Sequence, residues 1–227
     1  QSAIFGPALL LSVQTALFSL CLTVLMGTPL AWIIATSTKK TQRLLSLIVE
    51  LPIVLPPAVV GISLLYALGI KGFLGQHFHY LGLSIPFSTA AVVIAQVSVS
   101  SPFYIQATHN AFSRIDPEFI LVARVLGCSP LRTFVQVVLP LAVPGLISGA
   151  AMALARSLGE FGATLLFAGN LPGTTQTVPL AIYTALESDI DVAMAFSLVL
   201  VIATTLLLVL LKNANRFNLL LEQEKTP

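Results

Sequence analysis

The chain has 227 residues, of which 56% are hydrophobic and only 9% charged, and its formal net charge is +2. So little charge cannot cover the surface of a soluble domain of this length, which leaves one bundle of membrane helices. A balance this close to neutral, without a basic run interleaved with aromatics, also excludes a nucleic-acid partner.

Crossing a hydrocarbon core takes about 20 apolar residues as a helix. Five stretches qualify, at roughly 8–36, 44–70, 88–112, 133–158 and 192–211. Each must be helical, because lipid offers no partner to an unpaired backbone N–H or C=O. The expected fold is therefore all-α, a polytopic bundle of five spans forming a single domain over 1–227. A sixth, partial segment through Phe161-Gly-Ala-Thr-Leu-Leu-Phe167 is the alternative.

In the first stretch, Gln1 to Thr38 carries no charge, so the positive start of a cleavable leader is not expected there. Cys21 falls mid-span and Cys128 in a polar connection, an arrangement that reads as two unpaired thiols. The second stretch contains Leu51-Pro-Ile-Val-Leu-Pro-Pro57. Proline removes a backbone donor and clashes with the preceding turn, so this span is expected to break near its start. A broken membrane helix is tolerated only against protein or a water-filled cavity, which makes Pro56 and Pro57 candidates for lining a pathway.

Between the third and fourth stretches lies a polar island. Asp116 suits an N-cap, Pro117 the first helical position and Glu118 the positive end of the helix dipole, while Gly127 suits a left-handed terminator. The expected helix runs over about 117–127, with Phe119, Val122 and Leu126 on one apolar face. Ser129-Pro130 reads as a second cap, so two helices meet at a tight corner. Such a helix is either an interfacial anchor or a rigid knob on which a soluble partner pushes, and the tight capping favours the knob.

In the fourth stretch Gly145 and Gly149 form a Gly-x-x-x-Gly face, expected to admit another helix of the same subunit, with a helix of a second copy as the alternative. Arg156 and Glu160 stand one turn apart near its end, either as an ion pair or with Arg156 turned to a pathway. Glu187, Asp189 and Asp191 then fall in a connection read as solvated loop. Lys39, Lys40, Arg43, Arg114, Arg124, Arg132, Lys212, Arg216 and Lys225 all fall on one side of the five spans, nine of the eleven cations. By the positive-inside rule the N-terminus is then outside, and the polar island and C-terminus are cytoplasmic.

His77, His79 and His109 lack the neighbours of a metal set, and neither a metal nor another cofactor is expected. No catalytic constellation and no Gly-x-x-x-x-Gly-Lys-Ser/Thr occurs in the sequence, so ATP hydrolysis by the P-loop route would need another chain.

Ala123, Gly127, Val137, Leu139 and Pro140 resemble the cytoplasmic-loop signature of ABC importer permeases, Glu-Ala-Ala…Gly…Ile-x-Leu-Pro. The runs 51–57, 155–164 and 170–183 are similar to the molybdate and tungstate branch of that family. The resemblance spans nearly the whole chain. It implies a multi-pass permease of the cell inner membrane that pairs with a second copy around a pathway. It further implies two ATP-hydrolysing subunits on the cytoplasmic side and an extracytoplasmic molybdate-binding protein outside. The ATPase-coupling residues it suggests are Asp116, Glu118, Ile120, Ala123, Arg124, Gly127 and Leu131. One departure stands out: the signature glutamate is assigned to Ile120, and Glu118 cannot occupy the same helix face. The pathway and gate candidates are Pro56, Pro57, Ser63, Arg156, Ser157 and Glu160, with Ser148 as a further neutral donor for an oxyanion. Sulfate or thiosulfate import is the nearest alternative function, and a stand-alone anion carrier a more distant one, because no convincing internal repeat is evident and the mid-span regions are nearly free of charge.

Overall fold

A computed structural model describes the backbone of residues 2–223, and the side chains of 5–206 (except 79), 208 and 209. Lys225 lies outside the described residues, as do the side chains of Lys212 and Arg216. Among the described residues every regular element is helical.

Helix α1 covers Ser2–Thr36, and α2 begins almost at once, at Lys39–Val54, with Thr38 as its N-cap. The second expected span is not one rod. Helix α2 stops at Leu55, α3 starts at Pro57 and covers Pro57–Leu68, and the two are bent by 110°. Pro56 and Pro57 both lack the N–H that would carry the helix across, and Leu55 is driven to extended backbone by the proline that follows. The break thus falls in the middle of 44–70 rather than near its start.

A short α4 (Gly75–Tyr80) precedes α5 (Thr89–Ser113), whose N-cap Ser88 accepts from the Ala91 N–H. After α6 (Pro117–Val125), the segments α7 (Pro130–Thr133), a π turn at Phe134–Val138 and α8 (Leu139–Leu158) run on as one helix of 29 residues. The π turn has a cause in the sequence. Pro140 cannot donate to the carbonyl four residues back and its ring crowds that carbonyl, so the preceding turn widens and the Leu139 N–H reaches Phe134 instead. The chain then folds into the short α9 (Gly162–Ala168) and α10 (Val178–Leu186) before α11 (Ile190–Gln223). With 7 and 9 residues, α9 and α10 are each too short to cross a bilayer, so 161–167 is not a continuation of the fourth span. Among the described residues three helices are long and apolar enough to cross alone, and a fourth if the bent α2–α3 pair counts as one.

Two clusters of buried side chains hold the bundle. At one end Ala31, Ile34, Phe112, Val138 and Ala142 pack together, with Trp32 edge-on to Phe112 at 5.4 Å. At the other, Val60, Val92, Ala95, Ala163 and Phe167 join α3, α5 and α9. Helix α8 runs antiparallel to α5. A methyl carbon on Gly149 would stand 2.9 Å from the Ala107 side chain, and Gly145 faces Ala111 in the same way. The Gly-x-x-x-Gly face is thus used within the subunit, letting two helices approach closely. The shared end of α1, α5 and α7 gathers the connections that carry Lys39, Lys40, Arg43, Arg114, Arg124 and Arg132, which makes it the basic end of the bundle. Asp189 caps α11, accepting from the Asp191 and Val192 N–H groups, so this acidic residue has a local structural task. Cys21 and Cys128 are both free thiols.

Candidate functional site

At the basic end, α6 is built from its caps. The Asp116 carboxylate accepts the Glu118 N–H at 3.0 Å, and Pro117 takes the first position. Gly127 has φ +86° and closes the helix in a Schellman arrangement: Cys128 N–H to Ala123 C=O at 3.0 Å and Gly127 N–H to Arg124 C=O at 3.1 Å. One residue later Ser129 caps α7 by accepting from the Arg132 N–H at 3.3 Å. Two capped helices separated by so short a corner leave little freedom for one to move without the other.

The faces of α6 are clearly divided. Ala123 is buried, and Ile120 rests against the cluster that includes Phe112 and Val138. Phe119, Val122 and Leu126 are 56%, 56% and 78% exposed and line a hollow of about 450 Å³ with Asp116, Glu118 and Val137. Leu131 is likewise exposed, as is Arg124. The assignment of the signature glutamate to Ile120 needs correcting. Three consecutive residues ending on Ala123 begin at Leu121, and Leu121 lies on the exposed face whereas Ile120 faces the bundle.

At the opposite end, residues far apart in sequence converge. Glu160 is 1% exposed: one carboxylate oxygen lies 2.8 Å from Arg156 Nη1, and the other accepts the Ala163 N–H at 2.8 Å. The ion pair read from the spacing therefore forms, and its acid also caps α9. Helix α9 is laid directly on the proline break. A methyl carbon on Gly162 would stand 3.1 Å from the Ala58 nitrogen and 3.3 Å from Pro57 Cβ, and Gly61 lies against the Ala163 backbone. Pro57 and the Arg156–Glu160 pair thus belong to one structural unit, which the sequence alone had given as two separate candidates.

The serine candidates divide. Ser157 is buried; its hydroxyl donates to Leu154 C=O at 2.9 Å, and its own carbonyl accepts from Gln96 Nε2 at 3.3 Å. Ser63 is exposed and donates to Val59 C=O at 2.8 Å, while Ser148 is exposed on α8. Neither joins the Arg156 cluster. Gln96, buried between α5 and α8, and Gly162 were not singled out by sequence reasoning, because neither signals itself until the helices are placed.

A family profile described as the binding-protein-dependent transport system inner membrane component matches residues 27–218. The chain belongs to this family. Its membership makes it a multi-pass transport subunit of the inner membrane and not itself a catalytic one. It is 48% identical over 199 residues to the molybdenum transport system permease protein ModB of Mycobacterium tuberculosis, an alignment covering 88% of this chain and 75% of that one. It is 38% identical over 182 residues to ModB of Escherichia coli, covering 80% of each. Among solved structures, the inward-facing MetNI methionine ABC transporter superposes with a TM-score of 0.75 at 18% identity, covering 95% of this chain and 96% of that one. That likeness carries the permease fold to this chain and nothing of its substrate.

Proposed function

We propose that this permease carries molybdate, or the closely similar tungstate, inward as one half of a homodimer driven by two separate ATPase subunits. An extracytoplasmic binding protein delivers the oxyanion to the outer mouth. Five membrane crossings are read, with α2 and α3 together as the second and α11 as the fifth, the N-terminus outside and the basic end in the cytoplasm. This orientation rests on the positive-inside rule applied to the cations gathered there.

The observation that carries the reading is the exposed apolar face of α6, held on a helix capped at both ends. An apolar patch outside the spans, rimmed by Asp116, Glu118 and Arg124, suits a docking site on a soluble partner. We assign Asp116, Glu118, Leu121, Arg124, Gly127 and Leu131 to that seat, with Ala123 and Ile120 fixing α6 to the bundle. The corner at Ser129 then hands any displacement to α7 and α8, whose far end carries Arg156, Ser157 and Glu160. Because Glu160 caps α9 and α9 lies on Pro57, motion of α8 reaches the broken helix at the outer end. The substrate assignment is supported by the molybdenum permeases it resembles at 38–48% identity.

Uptake into proteoliposomes tests the reading. They hold the permease with its ATPase, the binding protein outside and ATP inside, and receive molybdate and sulfate in parallel. ATP-dependent accumulation of molybdate with little sulfate is expected. Accumulation of sulfate alone changes the cargo, and equilibration without ATP contradicts a pump.

A further inference from the structure

A second polar feature lies in an open cleft on the flank of the bundle, away from α6 and from Arg156. Between α1, α2 and α5, near the basic end, a cleft of about 320 Å³ is lined by Ser46 and Glu50 of α2 and by Gln106, His109 and Asn110 of α5. The spacings place each set on one helical face: Ser46 and Glu50 are four residues apart, and Gln106, His109 and Asn110 stand at three and four. The imidazole is held in place, with its Nε2 3.0 Å from Gln42 Nε2 and 3.3 Å from the Ser113 hydroxyl. Glu50 forms no ion pair among the described residues. A carboxylate and four polar neighbours opening onto hydrocarbon would be expensive, since ionisable groups within membrane spans face protein or a water-filled route. The cleft therefore opens onto protein or water and not onto lipid.

We propose that the cleft is the water-filled inner mouth of the anion pathway and that Glu50 acts there as an electrostatic check on the cargo. This rests on the oxyanion-importer reading above. The neutral donors Ser46, Gln106 and Asn110 give a departing oxyanion passing hydrogen bonds without a cation to trap it. The fixed negative charge of Glu50 lowers the occupancy of the mouth by a dianion, so release is favoured over return. One charge acting on a dianion about 6 Å away across water changes its occupancy roughly tenfold.

The assembled complex, with Cys21→Ser and Cys128→Ser removing the native thiols and Asn110→Cys placing one in the cleft, tests this directly. Membrane-impermeant cationic and anionic methanethiosulfonates are applied from the cytoplasmic side. The cationic reagent is expected to react faster, and Glu50→Gln to reduce that preference about tenfold, whereas Glu50→Asp retains it. No reaction with either reagent, or a preference unmoved by Glu50→Gln, overturns the proposal. In transport, the concentration of molybdate inside the vesicles that halves ATP-driven uptake should fall about tenfold in Glu50→Gln, and an unchanged value removes the check on return. If the unmodified complex moves no oxyanion while the reagent preference depends on Glu50, the importer reading has failed and the wet, charged cleft stands without this role.

Discussion

Gly61 of α3 and Ala163 of α9 meet backbone to backbone: a methyl carbon at position 61 would stand 2.7 Å from the Ala163 carbonyl oxygen and 2.8 Å from its Cα. The obstacle is main chain, which cannot swing aside as a long side chain would. This contact ties the broken second span to the segment that Glu160 caps.

Gly61→Ala should therefore force α3 and α9 apart. Overpacking of this kind costs about 1–3 kcal/mol. The expected result is a lower melting temperature and a several-fold loss of ATP-driven uptake with ATPase binding retained. Wild-type uptake would show that the outer unit does not need this close approach.

Gly127→Val tests the stop of α6. Open space surrounds the position, so the effect is one of backbone alone: a β-branched residue at φ +86° costs about 1–2 kcal/mol or more. ATP hydrolysis should continue in the complex while transport per ATP falls, and Gly127→Asn, which tolerates the left-handed region better, should recover most of it. Equal coupling ratios in all three proteins would contradict a rigid corner.

The two neighbours on α6 should respond in opposite ways to the same residue. Ile120→Glu places a carboxylate against the cluster of Phe112 and Val138 and should lower thermal stability measurably, because even a half-buried charge on an apolar cluster is costly without a partner. Leu121→Glu stands on the exposed face and should leave stability within about 0.5 kcal/mol, as surface changes do. Thermal unfolding of the purified variants decides this, and equal melting points would mean that the two faces are not divided as described.

Arg156→Gln leaves the buried Glu160 carboxylate with only the Ala163 N–H. Breaking a fully buried pair costs about 3–5 kcal/mol, and the 28% exposure of the Arg156 side chain puts this one below that range. Stability should fall in Arg156→Gln and recover in part in Arg156→Gln combined with Glu160→Gln. Uptake that follows stability through both variants would make the pair structural, whereas uptake that stays low in the recovered double variant would place Arg156 on the anion route.

Local chemistry in the chain made much of this legible. The caps of α6 and α7 and the Arg156–Glu160 pair each depend on residues within four positions of one another, so their spacing was enough. The spacing of Gly145 and Gly149 likewise announced a close helix approach. What could not be read was set through space. The 110° bend depends on how the two helices on either side of Pro56 settle against different neighbours, and the π turn before Pro140 on the helix continuing past it. The convergence of Pro57 with Gly162, and of Glu50 with His109, appears only once α2, α3, α5 and α9 are placed.

The central claim is that the exposed face of α6 seats an ATPase and passes its motion to the spans. A photo-crosslinking residue introduced at Val125, which is 78% exposed on that face, addresses it most directly in the assembled complex in native membranes. The same residue at Met26 on α1, 68% exposed within a span, serves as the control. Crosslinking of position 125 to the ATPase, changing in yield between the ATP-bound and nucleotide-free states and absent from position 26, is the predicted result. Crosslinking of position 125 to lipid alone would contradict the account and leave α6 an interfacial anchor.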